Sequence, residues 1–164
     1  MLKQIEYVRV SGATKSSGRT LYRVDVYEHD DNSHIPIHGH FALRTRKPQQ
    51  PSYQVEHPFR EFLQLRDDTF QLARVSHVLD PCLFCINIIC FDAFNEAKPR
   101  WNTTWFRKDE TVCKQLTVFL NQLLRLVTQI PNSGQDYCDG QDQIPRVILR
   151  FLRWSSIDAG RHSI

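Results

Sequence analysis

Leu116-Thr117-Val118-Phe119-Leu120-Asn121-Gln122-Leu123-Leu124 makes the second half of this 164-residue chain helical. With Val112 before it and Val127 after it, apolar residues recur at three and four positions, the spacing of one helix face. A helix from about Lys108 to Gln129 is predicted, stopped by Pro131-Asn132-Ser133-Gly134. Further on, Pro145 lies near the start of a last helix, with Val147, Ile148, Phe151 and Leu152 on its buried side. Upstream, Pro58 suits a first helical turn, and Phe59, Phe62, Leu63, Phe70 and Ala73 mark the inner face of a helix ending near Arg74. Asp80-Pro81 breaks any helix before it, and the apolar run from Cys82 to Phe91 is expected in a long loop.

The first half reads as strands. Gln4 to Val10 and Leu21 to Tyr27 alternate in character around a Ser16-Ser17-Gly18 turn, which predicts a hairpin with Tyr22, Val24 and Val26 on one face. Ile35 to Arg44 is a further extended piece, and Tyr53 to Glu56 a short strand. Strands first and helices second predict an α+β fold: a three- to four-stranded antiparallel sheet packed against a helical layer. Residues 1–154 are expected to form one domain and 155–164 a tail.

Composition narrows the function. Lys and Arg number 21 against 18 Asp and Glu, a net charge of +3, too small an excess to imply nucleic acid. Met1 to Val10 has no apolar signal region, so five reduced cysteines in a cytoplasmic chain are expected. The sequence has no Gly-x-Ser-x-Gly, no phosphate-cradling glycine loop and no His-Glu-x-x-His, so no enzymatic activity and no cofactor are expected.

An ordered set of motifs adds a family. His57-Pro58-Phe59-Arg60-Glu61-Phe62 stands where an Arg-Arg-Tyr-Ser-Glu-Phe-like motif opens a helix, and Leu79-Asp80-Pro81 begins a proline loop. Leu116 to Leu124 fits a Leu-x-x-Phe/Tyr-Leu-x-x-Leu-Leu helix, and Phe151-Leu152 ends a short terminal one. From about Glu6 to Leu152 the chain thus resembles the PX (phox-homology) family. The resemblance implies a cleft for an inositol phosphate headgroup between the first helix, the proline loop and the long helix. Guanidinium forks hold phosphate in such a cleft and an aromatic ring packs on the inositol.

Here Pro58 and Val112 replace two phosphate-holding arginines, and Ile86 falls near the loop lysine. The expectation is a phosphoinositide or anionic-membrane module with an altered headgroup site, peripheral on endosomal or other internal membranes. Headgroup contacts would come from His57, Phe59 and Arg60. Surface contacts would come from Lys98, Arg100, Trp101, Arg107 and Lys108, where basic and aromatic residues interleave. The alternative is a degenerate PX-like protein-interaction module without specific lipid binding.

Two metal-like patterns remain. Cys82-x-x-Cys85 has zinc spacing, with His77 and Cys90 near in sequence, but no second pair stands at standard spacing. The default reading is a buried apolar cysteine cluster, and a zinc-stabilised adaptor is the alternative. His29, His34, His38 and His40 lie close together without a carboxylate or cysteine at fixed spacing and read as a solvated edge.

Overall fold

A computed structural model of the chain describes residues 2–16, 18–29, 50–77, 79–100, 108–129 and 138–154. A short 3-10 turn, Leu2–Gln4, leads into strands β1 (Ile5–Ser16), β2 (Arg19–Glu28) and β3 (Tyr53–Pro58). Helices α1 (Phe59–Val75), α2 (Leu83–Phe94), α3 (Asp109–Gln129) and α4 (Asp139–Arg153) follow. The fold is α+β, with an antiparallel sheet in the order β1-β2-β3. The expected strand at Ile35 to Arg44, the Pro131 to Gly134 stop and the tail 155–164 lie outside the described residues. No helix among the described residues is long and apolar enough to cross a membrane.

The hairpin turns through Gly18, whose φ of 76° lies in the left-handed region that only glycine enters without strain. Pairing of Ser16 with Arg19 sets the register. Val8 then faces Val26, Val10 faces Val24, Val24 faces Val55, and Tyr22 faces His57. These side chains form the inner face of the sheet. The outer face carries a stacked Tyr7–Tyr27 pair at 4.2 Å and an Arg23–Glu56 ion pair at 3.3 Å. On that face Gln54 also donates to Asp25 at 2.6 Å.

α3 lays the predicted stripe on the sheet: Val112, Leu116, Phe119, Leu120, Leu123 and Leu124 are buried, with Cys113 beside them. Each such burial is worth about 1.5–3 kcal/mol relative to exposure. The same helix closes the open edge of β1. Asn121 accepts from the Val8 amide at 3.0 Å and donates to the Val8 carbonyl at 2.7 Å. Thr117 accepts from the Val10 amide at 2.9 Å. These bonds satisfy backbone groups that an edge strand otherwise presents to other chains.

Two expectations need correction. The run after Pro81 is helix α2, opened by Cys82 at its N-cap. α1 buries Phe62, Leu65, Thr69 and Ala73, a face rotated from the expected one, with Leu63 and Phe70 only partly covered. α4 begins at Asp139, and Pro145 stands near its start, in the second turn, where its missing N–H removes one intrahelical bond.

Candidate functional site

The expected headgroup positions surround the junction of β3 and α1. Pro58, with φ −67° and ψ 152°, ends the strand and caps the helix. One residue earlier, His57 continues the inward alternation of Val55 and is 1% exposed. Its Nε2 lies 2.7 Å from the Phe151 carbonyl, which can only accept, so Nε2 donates. Its Nδ1 lies 2.6 Å from Glu61 Oε2, and its ring stacks on Phe151 at 4.1 Å. Both nitrogens are engaged inside the protein, so His57 is a core residue rather than a headgroup contact. Phe59 is half-buried with its ring at an angle to Tyr22, at 6.1 Å. Val112 is fully buried under the sheet.

The basic residues differ in burial. Arg60, Arg100 and Lys108 are exposed. Lys98 is drawn inward, its ammonium bonded to the Asp92 carbonyl and 3.5 Å from the Asp92 carboxylate. Trp101 and Arg107 lie outside the described residues. A groove of about 1040 Å³ runs between β1 and α3 past Arg9, Lys114, Thr117 and Asn121. Thr117 and Asn121 already bond to the strand there.

Chemistry gathers at another corner. His77 follows the end of α1, Cys82 caps α2, Cys85 sits in the first turn of α2, and Cys138 caps α4. One potential ligand atom from each of the four lies within 4.8 Å of every other. Cys138 Sγ is 3.5 Å from both Cys82 Sγ and Cys85 Sγ. The Cys82 amide donates to His77 Nε2 at 3.4 Å, which turns the imidazole toward the thiols. Gln141 Nε2 reaches Cys82 Sγ at 3.9 Å.

The backbone makes room for this gathering. A β-carbon on Gly140 would stand 2.9 Å from Cys85 Sγ and 3.0 Å from Ser76 Oγ, so a hydrogen at this position lets α4 approach the cluster. Ser76 itself is fixed by donating to the Leu72 carbonyl at 2.5 Å.

Burial pushes the Cys82 thiol upward, but the Cys85 and Phe84 amides and the neighbouring thiols outweigh it, and Cys82 titrates below its ordinary value. Cys85 moves the opposite way, raised by burial and then by the adjacent sulfurs of Cys138 and Cys82. The contrast is positional: Cys82 stands at the N-cap of α2 and Cys85 inside its first turn.

The sequence pointed to Cys82 and Cys85 but named Cys90 as a neighbour; Cys90 is exposed on α2 and outside the cluster. Cys138 was missed because it lies far along the chain, beyond α3. Its available signal was Cys138-Asp139-Gly140, a cap position followed by the smallest residue before an apolar helix face. His29 is exposed, and His34, His38 and His40 lie outside the described residues. No family model matches the chain, and no curated protein matches it.

Proposed function

We propose that this chain is a non-catalytic binding module of PX-like architecture that meets protein partners and lacks the clamp of a specific phosphoinositide site. The closed β3–α1 junction carries this reading. His57 is buried with both nitrogens engaged, Pro58 caps the helix, and Val112 lies in the core. A phosphate clamp needs fixed guanidiniums aimed into a cleft, and these positions supply an imidazole already bonded, a proline and a valine. Leu79, Leu83, Ile86 and Phe94 are exposed along residues 79–94, an apolar display that suits protein contact.

A second reading, non-selective contact with anionic membrane, is favoured by the exposure of Arg60, Arg100 and Lys108. Co-sedimentation with vesicles of phosphatidylcholine, with added phosphatidylserine or with each phosphoinositide in turn, tests both. The expected result is no preference for any phosphoinositide at matched vesicle charge. Weak, salt-sensitive binding to all anionic vesicles would favour the second reading. Strong selection of one phosphoinositide, lost on Arg60→Ala, would overturn the first.

A further inference from the structure

We propose that His77, Cys82, Cys85 and Cys138 hold one structural zinc ion that pins the end of α1 to the starts of α2 and α4. The donor set is the first support. Three sulfurs and one imidazole form a closed Cys₃His shell, the composition of structural zinc sites, with no position left for a substrate.

Distance is the second support. Zinc–sulfur bonds of about 2.3 Å in a tetrahedron put sulfurs roughly 3.8 Å apart. The Cys138 sulfur is 3.5 Å from each of the other two, close to that edge and far beyond the ~2.05 Å of a disulfide. Two equal approaches to one sulfur fit a shared ion better than a disulfide, which joins only two of three.

Electrostatics is the third support. Three thiolates around a dication leave one net negative charge. Cys82 and Cys138 cap α2 and α4, so two positive helix ends face that charge. Gln141 supplies a donor to the Cys82 sulfur in the surrounding shell. Gly140 leaves the space that brings α4 to Cys85.

The site also accounts for α2. This helix has no polar face, and Leu83, Ile86 and Phe94 remain exposed on it. An ion gripping its first turn adds an anchor to the packing of Phe84 and Ile88.

The test uses the full chain, purified under reducing conditions without chelator. Elemental analysis is expected to find about one zinc per chain, as a Cys₃His site requires. Cys138→Ala is expected to lose it, and Cys90→Ala to keep it. Replacement of zinc by cobalt(II) is expected to give the intense visible bands and near-ultraviolet thiolate charge-transfer bands of tetrahedral sulfur-rich coordination. His77→Cys is expected to retain the metal and strengthen the charge-transfer band, which a merely structural histidine would not do. This variant and the wild-type cobalt spectrum decide the matter even if Cys138→Ala does not fold. Zinc-free protein that takes up no cobalt, a Cys138 disulfide in freshly purified chain, or equal metal loss in Cys90→Ala would overturn the proposal.

Discussion

The seam between β1 and α3 and the corner where α1, α2 and α4 meet join elements by different physics. The seam is extensive and repetitive: six aliphatic and aromatic side chains of α3 lie under the sheet, and Asn121 and Thr117 close the strand edge. The corner is small and chemical: four ligand atoms gather from three elements within 4.8 Å. A seam of many weak contacts tolerates the loss of any one. A four-ligand corner depends on each member. The first should therefore respond to cavity formation, and the second to thiol chemistry and metal supply.

Substitutions can break that contrast. Cys85→Ala is expected to have the largest effect, because it removes a fully buried ligand and releases three elements together. A loss of about 5 kcal/mol or more is expected, read as a fall in Tm of about 10–20 °C for a chain this size. Phe119→Ala should cost about 3–5 kcal/mol, mainly as cavity, since its ring stacks on Phe91 in the core. Its cost should be the same in zinc and after chelation, whereas that of Cys85→Ala should nearly vanish once the metal is gone; urea melts under both conditions measure this.

Gly140→Ala is expected to cost about 1–3 kcal/mol by overpacking, despite a gain near 1 kcal/mol from replacing glycine within a helix. The clash involves Cys85 Sγ and Ser76 Oγ, so zinc affinity should fall as well, by roughly 10–100-fold as for other supporting groups. Competition with a chromophoric chelator reads that change. Asn121→Ala should cost about 1–2 kcal/mol by leaving the Val8 amide and carbonyl without their side-chain partner. Zinc binding should not change, and amide exchange at Val8 should quicken.

The seam was legible in the sequence and the corner mostly was not. Periodicity exposed α3, and alternation around a turn exposed the hairpin, because each pattern is local and repeated. Leu83 to Phe91 carries no charged residue, so the run offers no polar face by which to recognise a helix. His57 is expected as a headgroup contact from its place in the resembling motif; pairing of β3 continues past Glu56 to Pro58, which turns His57 inward beside Val55. Cys138 could not be joined to Cys82 by spacing, since the distance between them in sequence is absorbed by α2, α3 and their connections.

The most direct measurement is residue-level hydrogen exchange of the zinc-loaded chain before and after metal removal by a chelator under reducing conditions. If the corner is metal-built, protection should collapse in the last turn of α1, throughout α2 and in the first turn of α4. It should persist in β1, β2 and the middle of α3. Unchanged protection in α2 and α4, or an equal loss across the sheet and α3, would contradict the division of the molecule into a packed seam and a metal-held corner.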